Sequence, residues 1–124
     1  MAEILMVDDE EKIRFVVREY AQFSGYSVTE AADGNQAVAL CREKNFDLVV
    51  MDIMMPKMNG YEATRAIRNL GDRPDGREIP IIAMTANAFA EDVQASMDVG
   101  MNGHLSKPIV MDEVIKTIAR NLDR

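Results

Sequence analysis

A short apolar run at residues 48–51 (LVVM) constrains the fold more than any other stretch of the chain. The run is too short for a helix and is rich in valine, which favours a strand buried on both faces, as in a parallel sheet. Asp52 follows the run, and Pro56 soon prevents further strand pairing. An aspartate in this position either begins an ordinary turn or is a functional group at the point where a buried strand reaches the surface.

Short apolar strands and amphipathic helices alternate through the rest of the chain. Strands are predicted at residues 3–7, 26–31, 79–84 and 103–106, in addition to the central run. Apolar residues at helical spacing follow each strand, within residues 13–21, 37–41, 60–69, 87–99 and 111–122. The polar residues 71–77 are predicted to form an exposed connection. The alternation predicts an α/β fold with a single five-stranded parallel sheet, right-handed crossovers and helices on both faces.

Length, charge and cysteine content exclude several classes of protein. The chain has 124 residues, which allows one domain. Its formal net charge of -7 argues against direct binding of nucleic acid, because phosphate binding needs a basic surface. The sequence shows neither an apolar run of roughly 20 residues, as a membrane span needs, nor the pattern of a signal peptide. We therefore expect a cytoplasmic protein, and the single Cys41 excludes an intramolecular disulfide.

Polar and charged residues stand at the predicted carboxyl ends of four strands. They are Asp8 and Asp9, Asp52, Thr85 and Lys107. Functional groups in open α/β sheets gather beyond these ends, and in the strand order 2-1-3-4-5 the first and third strands are neighbours. The carboxylates should then lie so close that their charges repel unless a cation offsets them. Carboxylate oxygens suit Mg²⁺, and a hydroxyl and an ammonium beside them would complete a phosphoryl-binding site.

Asp8 and Asp9 also have a purely structural interpretation. Together with Glu10 and Glu11 they precede a predicted helix, and acidic residues stabilise helix N-termini by capping and through the macrodipole. One capping carboxylate would be enough for that purpose, and Asp8 lies before the cap position.

The strand-end residues belong to longer motifs, and through these motifs the whole chain resembles the receiver domain of two-component response regulators. The matching segments are residues 5–10 (LMVDDE), 47–56 (DLVVMDIMMP), 58–60 (MNG), 84–86 (MTA) and 105–108 (LSKP). The second half of the chain is most similar to receivers attached to hybrid sensor histidine kinases. The resemblance implies a flavodoxin-like (βα)5 fold with a cis peptide bond before Pro108. It also implies a phosphorylation-activated signalling switch rather than an enzyme, one that assists its own phosphorylation and dephosphorylation.

The resemblance implies a role for each residue of the site. Asp52 would accept a phosphoryl group from a kinase phosphohistidine. Asp9, Asp52 and the backbone carbonyl of Met54 would bind Mg²⁺ directly, and Asp8 would bind it through water. Lys107 would pair with the phosphoryl oxygens.

A second group of residues would carry the response to phosphorylation. Thr85 would move to hydrogen-bond the phosphoryl group, and the space it leaves would admit His104. The face formed by the fourth helix, the fifth strand and the last helix would then repack. The family most often has Tyr or Phe where this chain has His104, so His104 is either a switch residue or a plain surface residue. Met54, Ala86 and Asn87 flank the site, and Met54 and Asn87 hold positions that tune the phosphoryl lifetime in the family.

The expected partners also follow from the resemblance. The phosphoryl donor would be a sensor histidine kinase or a histidine phosphotransfer domain, and neither nucleic acid nor membrane would be contacted directly. We expect residues 1–124 to be one receiver domain without an output domain, and a monomer when unphosphorylated. Such a domain is either a stand-alone regulator or part of a longer chain.

Two other classes of protein share parts of the pattern. Phosphatases and phosphotransferases of the haloacid dehalogenase type also use an aspartate nucleophile at a strand end, but they need a second aspartate where this chain has Met54. Flavin carriers of the flavodoxin type share the sheet order, but they hold phosphate in a hydroxyl- and glycine-rich loop after the first strand. The acidic residues 8–11 would repel that phosphate. Both comparisons favour the receiver interpretation.

Overall fold

The protein folds around a parallel sheet with helices on both faces. The computed structural model describes residues 2–70, 78–86 and 90–122, so the predicted connection at 71–77 and the predicted helix start at Asn87 lie outside the described residues. The element order is β1 (Glu3–Val7), α1 (Glu11–Phe23), β2 (Ser27–Ala31), α2 (Gly34–Glu43), β3 (Leu48–Asp52), α3 (Gly60–Arg68), β4 (Ile81–Thr85), α4 (Ala90–Asp98), β5 (Gly103–Ser106) and α5 (Met111–Leu122). The strands lie in the order β2-β1-β3-β4-β5, and every pairing is parallel. Within the described ranges, the helices are too short or too polar to cross a membrane.

Alternate residues of the central strands face two separate hydrophobic clusters. Val49 and Met51 of β3 belong to a cluster that also holds buried residues of α2 and α3. Leu48 and Val50 belong to a second cluster, with buried residues of α1 and α5. Helices therefore cover both faces of β3, which explains why its apolar run is unbroken. Each large side chain buried in this way contributes about 1.5–3 kcal/mol of stability.

Local side-chain bonds determine where two of the helices begin. The Asp33 carboxylate accepts a hydrogen bond from the Gln36 N–H at 2.8 Å and caps α2. At α3, Asn59 Oδ1 accepts from the Glu62 N–H at 2.9 Å, and Glu62 Oε1 accepts from the Asn59 N–H at 3.0 Å. These two bonds form a capping box, which the sequence Asn59-Gly60-Tyr61-Glu62 favours because an acidic residue stands three positions after the N-cap.

The start of α3 packs directly against the end of β3. The Gly60 N–H donates a hydrogen bond to the Ile53 carbonyl at 3.0 Å. A Cβ atom added to Gly60 would lie 2.5 Å from the carbonyl oxygen of Asp52 and 2.8 Å from the Ile53 Cα. Glycine is therefore needed for α3 to begin so close to Asp52.

Three details of the strands differ from the expectations. β2 begins at Ser27 rather than at residue 26. β4 begins at Ile81 rather than at residue 79, because Pro80 has no N–H for the ladder, although its carbonyl accepts from the Val49 N–H at 2.9 Å. Asp52 was expected where the strand reaches the surface, but it is the last residue of β3 and only 2% exposed.

The peptide bond between Lys107 and Pro108 is cis, as the resemblance implies.

Candidate functional site

The predicted site residues lie together at the carboxyl edge of the sheet. Asp8 directly follows β1, and Asp52 and Thr85 are the last residues of β3 and β4. Lys107 directly follows β5, and its N–H donates to the Thr85 carbonyl at 2.8 Å. Parallel pairing aligns these strand ends, so the sheet itself positions the side chains.

Three carboxylates converge at this edge. Asp8, Asp9 and Asp52 each offer one oxygen, and these oxygens all lie within 4.8 Å of one another. Asp8 and Asp52 are buried, with exposed fractions of 0% and 2%, whereas Asp9 is exposed. The cluster is therefore anchored in the core and open to solvent on one side.

Lys107 provides the positive charge that the cluster faces. Its Nζ lies 3.6 Å from Asp8 Oδ2 and 3.6 Å from Asp52 Oδ1. It also lies 3.9 Å from Glu10 Oε1, a contact that the sequence interpretation missed. Glu10 is mostly exposed, so that third pair contributes little. A single ammonium thus balances the buried aspartates only in part.

Burial and mutual repulsion make both buried carboxyl groups harder to ionise. Burial, followed by the neighbouring Asp8 charge, raises the pKa of Asp52 to about 6 against the opposing effects of Lys107 and the Met54 N–H. Burial also raises the pKa of Asp8, although the Glu10 N–H and Lys107 favour its charged form. The site therefore holds more negative charge than its surroundings neutralise.

The donor set fits a small divalent cation. Asp8 Oδ2 is buried and, among the described residues, accepts no hydrogen bond, since Lys107 is too far away for one. A buried acceptor without a donor is costly unless something outside the chain supplies the missing charge. Clustered carboxylate oxygens with an open side are the environment that Mg²⁺ prefers in phosphoryl-transfer sites.

Helix capping does not explain the acidic pair. The N-cap residue of α1 is Glu10, and its side chain makes no capping hydrogen bond to this helix. Asp8 Oδ1 accepts from the Glu10 N–H at 2.9 Å, which fixes the turn between β1 and α1. The position of Asp8 is therefore that of a site residue held by a local turn.

The two predicted switch residues differ in exposure. Thr85 is buried at the end of β4, with an exposed fraction of 7%. His104 is exposed on β5, where it is in register with Ala83 of β4. The imidazole therefore lies outside the core in this conformation.

Met54 and Ala86, two of the three flanking residues, lie within the described part of the chain. Met54 is 74% exposed, and its N–H donates to Asp52 Oδ1 at 3.3 Å. Ala86 is exposed directly after β4, and Asn87 lies outside the described residues.

A strand-end carboxylate beside a cation site and an ammonium can accept a phosphoryl group, and comparison with known proteins agrees with that chemistry. The family model of the response regulator receiver domain matches residues 4–119. The chain belongs to this family. Receiver domains are the phospho-accepting regulatory domains of two-component systems.

The relatives of this receiver domain include a longer response regulator and a protein of about the same length. Response regulator MprA of Mycolicibacterium vanbaalenii is 36% identical over 121 residues, which are 98% of this chain and 50% of MprA. The chain thus spans about half the length of the curated relatives it matches. The chemotaxis response regulator CheY4 of Vibrio cholerae is 36% identical, with a TM-score of 0.91 and coverage of 98% of both chains.

A second similar structure is part of a sensor histidine kinase. It is the receiver domain of sensor histidine kinase PA1611 from Pseudomonas aeruginosa, 37% identical with a TM-score of 0.89, and the match covers 99% of this chain and 98% of that one. That structure has a magnesium ion coordinated in its active site cleft.

Proposed function

We propose that this receiver domain is a signalling switch that accepts a phosphoryl group from a phosphohistidine onto Asp52 with the help of Mg²⁺. One observation carries the proposal: Asp52 lies buried at the end of β3, within 4.8 Å of the oxygens of Asp8 and Asp9 and 3.6 Å from Lys107 Nζ. A nucleophile, a cation site and a phosphate-binding ammonium thus meet at one point.

Asp52 acts as the nucleophile in this proposal. With a pKa of about 6 it is mostly ionised near neutral pH, so a carboxylate oxygen can attack phosphorus. The new oxygen–phosphorus bond forms as the nitrogen–phosphorus bond of the donor breaks, and the imidazole leaves and takes up a proton. Lys107, already beside Asp52, pairs with the oxygens of the transferred group.

The acidic residues hold the ion. Asp9, Asp52 and the Met54 carbonyl would bind it directly, and Asp8 would act through water while its Oδ1 accepts from the Glu10 N–H. When bound, Mg²⁺ neutralises negative charge that develops on the phosphoryl oxygens and on the carboxylates.

The response spreads from Thr85. Its hydroxyl moves toward the phosphoryl group, and His104 moves inward into the space it leaves. The surface formed by α4, β5 and α5 repacks and changes its affinity for a partner. Met54, Ala86 and Asn87 flank the site, and the identities of Met54 and Asn87 adjust how long the phosphoryl group survives.

The donor in this proposal is a sensor histidine kinase or a histidine phosphotransfer domain. The similarity to a receiver domain that belongs to a sensor histidine kinase supports this class of partner.

Incubation with acetyl phosphate, followed by intact-mass measurement, tests the assignment. The wild type should gain one phosphoryl group only when Mg²⁺ is present, and Asp52→Asn should gain none at that site. Asp47→Asn is the matched control, because Asp47 is an exposed aspartate just before the same strand. Labelling of Asp52→Asn at the wild-type rate would refute the proposal.

A further inference from the structure

A chain of charged groups links β2 to the backbone of Asp8. Arg14, near the start of α1, donates from Nη1 to the Asp8 carbonyl at 2.7 Å and from Nε to Glu30 Oε1 at 3.1 Å. Arg18 Nη1 donates to the other Glu30 oxygen at 2.6 Å. Arg14 therefore joins α1 and β2 to the turn that follows β1.

The bond from Arg14 meets a requirement of the Asp8 backbone. Asp8 is fully buried, and buried backbone groups need hydrogen-bond partners. Its N–H donates to the Ala31 carbonyl at 3.2 Å, whereas its carbonyl lies beyond the end of β1 and accepts from Arg14. The carboxylate of the same residue faces Lys107 and belongs to the acidic cluster. The bond from Arg14 thus bears directly on the orientation of a site residue.

The placement of Arg14 is not what helix stability alone would favour. A cation near a helix N-terminus interacts unfavourably with the macrodipole. The planar guanidinium can, however, donate in two fixed directions at once, which a lysine cannot do. The Arg14 side chain is also less exposed than that of Arg18, at 16% against 33%.

We propose that Arg14 is a positioning residue for the Mg²⁺ site: braced by Glu30, it holds the turn that carries Asp8 and Asp9 and thereby sets the affinity for the ion. The inference rests on the proposed function, since it takes Asp8, Asp9 and Asp52 as the groups that hold Mg²⁺.

Charge and geometry predict opposite effects when Arg14 is neutralised. Removing a positive charge beside an acidic cluster should strengthen Mg²⁺ binding by simple Coulomb attraction. Losing the bond to the Asp8 carbonyl should weaken binding, because the carboxylates would no longer be held in place. The sign of the change in affinity therefore distinguishes the two explanations.

The test compares Arg14→Gln with the matched variant Arg18→Gln. Both substitutions remove one arginine charge and one bond to Glu30, but only Arg14 contacts Asp8. Calorimetric titration with Mg²⁺ should show affinity about 10-fold weaker in Arg14→Gln. Arg18→Gln should bind Mg²⁺ as tightly as the wild type or slightly more tightly. Arg14→Lys keeps the charge and should still weaken binding, because a single ammonium cannot replace the two-directional fork.

An NMR measurement on Mg²⁺-free protein tests whether Arg14 holds the turn after β1. The Glu10 N–H donates to Asp8 Oδ1, so its amide resonance reports the turn directly. In Mg²⁺-free protein this resonance should shift more in Arg14→Gln than in Arg18→Gln. Denaturant unfolding of each variant shows that the titrations were made on folded protein, and Arg14→Lys serves if Arg14→Gln does not fold.

Three results would overturn the inference. They are Mg²⁺ binding by Arg14→Gln that equals or exceeds that of the wild type, equal weakening in Arg18→Gln, and wild-type affinity in Arg14→Lys. Failure of the proposed function would look different, because the wild type itself would then fail to bind Mg²⁺ or to accept a phosphoryl group on Asp52.

Discussion

At the scale of single residues, the site concentrates charge at the expense of the stability of the fold. Asp8 and Asp52 are buried, repel one another and share one nearby ammonium. Burial and the neighbouring negative charges raise the pKa of both carboxyl groups, so both groups favour the protonated form. Such a conflict is typical of a site whose missing charge comes from a ligand.

Asp52 should therefore make the metal-free protein less stable as the pH rises. Its pKa is about 6 in the folded protein and 3.8 in the reference state, so the folded state binds more protons between these values. Protonation of Asp52 therefore adds to the unfolding free energy below about pH 4, and this contribution is lost as the pH rises through about 6. In EDTA, Asp52→Asn should exceed the wild type in unfolding free energy by up to about 3 kcal/mol at about pH 8.

Urea unfolding at both pH values checks this expectation. The advantage of Asp52→Asn should become small at about pH 4, where wild-type Asp52 is protonated in the folded state and about half protonated in the unfolded state. The exposed Asp47→Asn is the control variant and is measured at the same two pH values. An advantage of equal size at both pH values would mean that the Asp52 charge is not its cause.

Thr85 should transmit the phosphoryl signal to His104. The chain has one histidine, so imidazole NMR follows that residue without ambiguity. Adding beryllofluoride, a phosphoryl mimic, with Mg²⁺ should shift the His104 ring resonances in the wild type and in Thr85→Ser, which keeps the hydroxyl. Thr85→Ala should still accept a phosphoryl group but lose this shift. Unchanged His104 resonances in the wild type would remove His104 from the switch.

The sequence predicted the residues at the strand ends but not the contacts that support them. Asp8, Asp52 and Lys107 could be predicted because each is adjacent to a recognisable strand. The bond from Arg14 to the Asp8 carbonyl depends on where Glu30 of β2 lies in space, and no local pattern encodes that position.

At the scale of elements, local sequence signals explain two of the helix ends. The capping box at Asn59 and the positive φ of 92° at Gly25 after α1 are formed by neighbours in sequence. The start of β4 was less predictable, because it depends on how Pro80 meets the neighbouring strand. The close approach of Gly60 to Asp52 was not predicted at all, because it joins two elements across a loop.

Gly60→Ala should disturb the site through this element contact. The added methyl group would meet the Asp52 carbonyl and the Ile53 Cα, so α3 or the end of β3 must shift. Overpacking of this kind costs about 1–3 kcal/mol, and better helix propensity offsets about 1 kcal/mol of it. Calorimetric titration should also show weaker Mg²⁺ binding.

Gly25→Ala is the control for Gly60→Ala. It should cost about 1–2 kcal/mol, because Gly25 has positive φ, but an added Cβ meets nothing within 4 Å. Its Mg²⁺ affinity should match that of the wild type. Loss of Mg²⁺ affinity in both variants would attribute the effect to lower stability rather than to the contact with Asp52.

At the scale of the whole molecule, five parallel strands bring residues distant in sequence to one edge. Hydrophobic periodicity indicates which segments are strands and helices, but it does not encode their spatial order. The observed order β2-β1-β3-β4-β5 is the expected one, and it places the acidic ends of β1 and β3 beside one another. Binding at this edge should therefore stabilise every element that contributes to it.

Mg²⁺ should stabilise the fold in a strongly pH-dependent manner. A ligand that binds only the folded state adds stability, about 2.7 kcal/mol at a concentration 100 times its Kd. Protons compete with Mg²⁺ for the same carboxylates, and burial raises the pKa of both Asp8 and Asp52. The increase in unfolding free energy caused by Mg²⁺ should thus be large at about pH 8 and should fall as the pH drops through about 6.

Asp9→Asn should lose most of the increase at about pH 8, whereas Asp33→Asn should keep it, because Asp33 caps α2 and asparagine caps about as well. Unfolding measured at matched ionic strength, with NaCl in place of MgCl₂, separates ion binding from screening. An equal increase in the wild type and in Asp9→Asn would show that the ion binds elsewhere.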